Sequence, residues 1–127
     1  MSELNELALT LLASVPSVDM KTAGKTDLYT VPAGKLMYPF AVIIRKTSAS
    51  LAGGTDYDFG VGANCDTWKQ SVDLSSMTTP VTDYWIIAAA TKFTYCVAAD
   101  VFGIKVITGS TAACTATIDV IGYLADA

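Results

Sequence analysis

The chain has no histidine, only two glutamates, and only eight lysines and arginines in 127 residues. Each shortage closes off a class of function. Without histidine, the Ser-His-Asp and Cys-His nucleophilic arrangements are excluded, and a zinc site would need an unusual ligand set. The basic residues stand singly apart from Arg45-Lys46, so there is no electrostatic footprint for nucleic acid or an anionic membrane. The longest strongly apolar run, Ile86 to Ala90, is far too short to cross a bilayer. Three cysteines, Cys65, Cys96 and Cys114, have no CxxC spacing. Their odd number, with an N-terminus carrying two acids and no base, leads us to expect free thiols in an intracellular product. Charged residues make up 16% of the chain, against about a quarter in ordinary soluble domains. Partners can cover part of such a surface, and Ser and Thr can stand in for charge on the rest.

What the chain has instead is apolar alternation. Its length suits one domain with a core that needs no metal or disulfide. The stretch Asp27 to Lys46, DLYTVPAGKLMYPFAVIIRK, organises the rest. Its first arm, DLYTV, is rich in β-formers, and Pro32-Ala33-Gly34 is turn chemistry. In the second arm Leu36, Tyr38, Phe40, Val42 and Ile44 fall on one side, and Met37, Pro39, Ala41 and Arg45 on the other. A period of two predicts a hairpin with one buried face, and Pro39 implies an edge or a bulge, because proline cannot donate to a ladder. Further strands are expected at TDYDFGVG, Trp68 to Leu74, Thr82 to Ala88, Phe93 to Val97, Val101 to Thr108 and Cys114 to Leu124. Eight strands of about five to ten residues, set apart by Gly/Ser/Thr/Asp turns, predict an all-β, eight-stranded, jelly-roll-like β-sandwich over residues 17–127. Leu36, Phe40, Val42, Ile44, Val72, Ile104, Ile118 and Val120 are its expected core.

One segment departs from this pattern. From Ser2 to Val15, the residues Leu4, Leu7, Ala8, Leu11, Leu12 and Val15 follow helical spacing. Ser2 suits an N-cap, Glu3 and Glu6 suit the first turn, and Pro16 suits a stop. A short amphipathic helical arm over residues 1–16 is therefore expected. Leu4, Leu7, Leu11 and Leu12 would form its stripe, packed against a neighbouring subunit.

Residues that might carry chemistry are few. AGKT at Ala23 to Thr26 is not a phosphate loop, because the motif requires Gly where Asp19 stands. Asp56, Asp58, Asn64 and Asp66 are oxygen ligands of the kind calcium takes, but their spacing is not that of an EF-hand, and Asp and Asn are also ordinary turn residues. Ten aspartates make a glycosidase-like carboxylate pair easy to draw and give no reason to place one. Tyr57, Trp68, Tyr84 and Trp85 are candidates for a sugar-binding row or for core and subunit packing. Since neighbours on a strand point to opposite faces, one of Tyr84 and Trp85 should be exposed or at an interface. No catalytic residue, metal or cofactor is expected.

The phrases LYTVPAG, ASLAGGTDYDFGVGA, DTWKQSVDLSSM and TATIDVIGYL, between Asp27 and Leu124, resemble small structural proteins of tailed bacteriophages. The resemblance implies a β-sandwich of the capsid decoration (cement) or head-fibre type, and a non-enzymatic protein. It further implies a homo-oligomer, as a trimer, bound to the major capsid protein on the virion after synthesis in the host bacterial cytoplasm. A carbohydrate- or receptor-binding module of a phage tail or head fibre is the alternative. Under either, no nucleic acid or membrane partner is expected, and the leucine stripe would touch a subunit or the capsid.

Overall fold

The structure, a computed structural model, describes residues 8–88 and 95–127. Eight strands form two four-stranded antiparallel sheets: β1 Thr10–Asp19, β2 Gly24–Thr30, β3 Lys35–Arg45, β4 Asp56–Val61, β5 Lys69–Val72, β6 Trp85–Ala88, β7 Val101–Thr108 and β8 Thr115–Asp126. One sheet has the order β1-β8-β3-β6 and the other β2-β7-β4-β5. Strands β1 and β8, β2 and β7, β3 and β6, and β4 and β5 pair, so the second half of the chain runs back along the first. Pairing of β8 with β3 and of β7 with β4 then closes each sheet into four strands. Of the successive connections, only β4 to β5 stays within a sheet; the others cross the sandwich. No helix occurs among the described residues.

The core lies between the sheets. Met37, Val42, Ile44, Ile118 and Val120 enter it from the first sheet and Tyr57, Phe59, Phe102 and Ile104 from the second, each 0% exposed. Trp68 packs edge-on against Phe102 with ring centroids 5.6 Å apart. Burying each large side chain is worth about 1.5–3 kcal/mol, so these interior rows dominate the stability.

Among the described residues the expected N-terminal helix is not present. Leu4 and Leu7 lie outside the described residues, and the part of the segment that is described, from Thr10 on, is strand β1 paired with β8. Two bulges explain the misleading period. Leu11 pairs with Ile121 and Ala13 with Val120, so Leu12 is an extra residue; Val15 pairs with Ile118 and Val18 with Ala116, so Pro16-Ser17 hold another. Each extra residue shifts the alternation by one, and a period of two broken twice imitates steps of three and four. Pro16 stops no helix: it sits in the second bulge, beside Ser17 at φ 58°, where a missing N–H costs nothing on an edge strand.

The expected hairpin is only half there. Gly34 supplies the positive φ, 74°, and Lys35 N–H donates to the Pro32 carbonyl at 3.3 Å. The two arms do not pair with each other. Strand β2 pairs with β7 in one sheet, while β3 has β8 on one side and β6 on the other, leaving no free edge for β2. Turn chemistry sets a reversal, not the partner.

Within β3 the parity also changes. A bulge between Pro39 and Ala41 leaves Phe40 unpaired, so Met37 points inward before it and Val42 and Ile44 after it. Phe40, expected in the core, is 41% exposed, and Leu36 and Val72 are half-buried. The proline ring sits opposite Gly122, where a β-carbon would come within 2.5 Å of the Tyr38 carbonyl. Of the expected strand at Phe93 to Val97, residues 93 and 94 lie outside the described set, and Cys96 makes a single bridge to Met37.

Candidate docking face

The two outer faces of the sandwich differ in chemistry. On the β2-β7-β4-β5 sheet, Lys25, Lys105 and Asp58 stand in one row. Lys25 pairs with Asp27 at 3.5 Å, Lys105 Nζ donates to Asn64 at 3.0 Å, and Asp58 accepts from the Ser71 N–H at 2.8 Å. The opposite face is apolar. Its register places Leu11, Ile121, Ala41 and Ala88 in one row and Ser14, Asp119, Ile43 and Ile86 in the next. Tyr38 and Tyr123 pair further along, Phe40 meets Tyr123 edge-on at 6.2 Å, and Tyr38 lies 5.6 Å from Tyr95. Ten large apolar side chains are exposed among the described residues, and all but Ile107 lie on strands β1, β3 and β6 or on segments leading into or flanking that sheet.

One polar cluster crosses the apolar face. Asp119 on β8 accepts from Arg45 Nε on β3 at 2.7 Å and from the Ser14 hydroxyl on β1 at 2.6 Å, so three strands are tied across their outer surface. Asp119 is 7% exposed. Its burial pushes the carboxyl upward, but the hydrogen bonds from Arg45 and Ser14 outweigh it and hold the group below the usual carboxylate range.

Two hollows flank β6. One, of about 430 Å³, is floored by Ile43 and Ile86 and rimmed by Arg45, Lys46, Val81 and Tyr84. The other, of about 470 Å³, lies where the sandwich is open, between the edge strands β5 and β6, with Trp85 and Ile87 on one side and Lys69, Ser71 and Asp73 on the other.

The residues picked from sequence scatter. Leu11 is 58% exposed on the apolar face, and Leu12 is half-buried against the core. Tyr57 and Trp68 are core residues, so only Tyr84 and Trp85 of the aromatic candidates reach the surface, at 65% and 37% exposure. The oxygen-ligand candidates are not brought together as a site: Asp58 and Asn64 serve Ser71 and Lys105, the Asp66 carbonyl takes Gln70, and Asp56 Oδ1 is buried without a hydrogen-bond partner. No group of three His, Cys, Asp or Glu side chains suited to a metal occurs among the described residues. Cys65, Cys96 and Cys114 are buried free thiols, and burial pushes the Cys96 thiol up to about 11. No helix among the described residues is long and apolar enough to cross a membrane. Sequence reasoning missed the apolar face because its members, Leu11, Phe40, Ile43, Ile86 and Tyr123, come from four strands. The signal available was the doubly apolar strand at Trp85–Ala88.

The fold defines a class: an all-β sandwich of two four-stranded antiparallel sheets. No family model matches the chain, and no curated protein matches it. Among solved structures it is similar to a chain of the acidic stable capsid structure of Helicobacter pylori bacteriophage KHP30. The TM-score is 0.54 at 12% identity, over 94% of this chain and 98% of that one. At that identity the likeness is one of fold.

Proposed function

We propose that this chain is a bacteriophage virion structural protein, a capsid decoration (cement) protein that binds the shell of the major capsid protein and stabilises it without catalysis. The observation that carries the reading is the end-to-end match of fold with a chain of a phage capsid structure. The strand orders β1-β8-β3-β6 and β2-β7-β4-β5 support a jelly roll, an architecture used by viral capsid domains. The division into one charged and one apolar face supports docking: the β1-β8-β3-β6 face turns toward a protein surface, and the face bearing Lys25, Asp58 and Lys105 turns toward solvent. Contact of Leu11 with the shell or a neighbouring copy belongs to this reading. So does residence on the virion after synthesis in the host cytoplasm. Binding repeated over many equivalent sites gives avidity from a modest interface.

The test is reconstitution. Purified protein is mixed with mature shells that lack it, and the shells are sedimented and heated. The expected result is saturable co-sedimentation at a fixed number per capsomer, a higher shell-disruption temperature, and loss of both on Phe40→Asp combined with Leu11→Asp. Shells that neither retain the protein nor gain stability refute the reading. A glycan-array signal abolished by Tyr84→Ala, in place of shell binding, would establish the receptor-binding alternative.

A further inference from the structure

One end of the apolar face carries an unspent positive charge. Arg45 gives both Nε and Nη2 to Asp119. The Lys46 side chain, next in sequence, has no ion pair or hydrogen bond among the described residues. Lys46 stands at φ 53° where β3 ends and borders two hollows. One is the apolar hollow of about 430 Å³ over Ile43 and Ile86; the other, of about 260 Å³, is lined by Ser17, Thr47 and Thr117. The acid on the apolar rim, Asp83, already accepts from the Thr79 N–H at 2.9 Å. The apolar hollow is thus a seat beside an unpaired cation, and an apolar side chain next to a carboxylate completes it. The described chain on either side of residues 89–94 stands toward the other end of β3, with Ala88 opposite Ala41, Tyr95 beside Tyr38 and Cys96 on Met37.

We infer that this seat takes residues 3–7, Glu-Leu-Asn-Glu-Leu, of a neighbouring copy, with a leucine over Ile43 and Ile86 and a glutamate on Lys46. The inference deepens the docking reading by naming what fills one end of the apolar face, and it rests on that reading only for its setting on a shell. Charge selects the segment. The chain has two glutamates, Glu3 and Glu6, and each is followed by leucine. The other stretch outside the described residues, 89–94, holds a lysine and no acid. Reach selects the copy. The row of Thr10, Gly122 and Pro39 lies three residues of β8 from the row of Asp119, Ile43 and Ile86, about 10 Å along the strands. Strand β6 lies three strand spacings from β1, about 14 Å, which puts the seat roughly 17 Å from Thr10. Both β1 and β3 run antiparallel to β8, so the chain before Thr10 leaves the sheet pointing away from the seat. At full extension Leu7 stands about 10 Å from Thr10 and Leu4 about 20 Å. Turning back over the face uses up a reverse turn of that length, so a copy's own leucines fall short of its seat and a neighbour's do not.

Light scattering on the full chain tests this without shells. The expected mass is a discrete multiple of the 13.3 kDa chain. Lys46→Glu alone, or Glu3→Lys with Glu6→Lys, should raise the dissociation constant about tenfold while the circular dichroism spectrum stays that of the parent. All three substitutions together should restore assembly, because the charges are exchanged and not lost. Leu4→Asp with Leu7→Asp gives a second readout that leaves every described residue intact, and it should yield monomer. Lys25→Glu, on the opposite face, should leave the mass unchanged. A monomeric wild type, an oligomer indifferent to these changes, or a triple variant that stays apart overturns the inference. So does a monomer whose binding to shells is lost on Lys46→Glu, which would seat a capsid segment there instead. An oligomer that responds as expected but ignores shells leaves the inference standing and removes the cement reading; a monomer that binds shells does the reverse.

Discussion

Replacing Tyr57 with phenylalanine should reverse its effect on stability between neutral and alkaline pH. Tyr57 is 0% exposed, and its hydroxyl donates to the Met20 carbonyl at 2.8 Å. That carbonyl also accepts from the Ser110 N–H at 3.1 Å, so removing the hydroxyl orphans no buried acceptor. The neutral-pH cost is then the net worth of one hydrogen bond, about 0.5–1.5 kcal/mol. At high pH the balance changes. Burial, the largest cause, pushes the phenol from 10.0 up to about 12. Between those values the unfolded chain loses the proton and the native one keeps it, so stability falls as pH rises. The loss is about 1.36 kcal/mol per pH unit, roughly 2–3 kcal/mol across the window. Tyr57→Phe is exempt from this loss. The two stability curves should cross near pH 11, given a neutral cost of about 1 kcal/mol. Urea unfolding followed by tryptophan fluorescence from pH 7 to 12 measures this. Parallel curves would show that the phenol is not desolvated and that the interior described around it is wrong.

The same ring makes Gly54 irreplaceable: a β-carbon there would run into the Tyr57 hydroxyl and lie 3.0 Å from both the Leu51 carbonyl and Tyr57 Cε2. Gly54→Ala should cost about 1–3 kcal/mol and less in the Tyr57→Phe background, a coupling that a double-mutant cycle in urea would detect. Because Asp119 is held below the ordinary carboxylate range, its contribution is present above about pH 4 and fades as pH falls through the native value. Arg45→Gln should remove part of that acid limb in a thermal-melt pH series. Deleting residues 1–16 takes away the β1 residues that pair with Gly122 through Ile118. The truncated chain should lose its cooperative melt, whereas deletion of 1–7 should keep it; a truncated 17–127 that melts like the full chain would mean β1 is dispensable.

The strands of the interior were readable in the sequence because their alternation is local. In β8, Ala116, Ile118 and Val120 face in, and Thr115, Thr117 and Asp119 face away from the core. Any chain that buries one face of a strand must write itself this way. The turn at Pro32-Ala33-Gly34 was equally local, since a positive φ at the third position favours glycine. What local pattern could not carry was anything that depends on a partner. The bulges at Leu12, Pro16-Ser17 and Phe40 exist only against β8, and each reverses the parity that a sequence reading must assume constant. That is why a strand read as a helix and Phe40 read as core. Nor does any single strand state that Leu11, Ile43, Ile86 and Ile121 share a face. Composition and alternation alone determined an all-β chain with its interior rows. The pairing of strands across as many as 112 positions, as for Thr10 with Gly122, decided which leftover apolar residues meet outside, because only long-range hydrogen bonding sets register, and register sets the face.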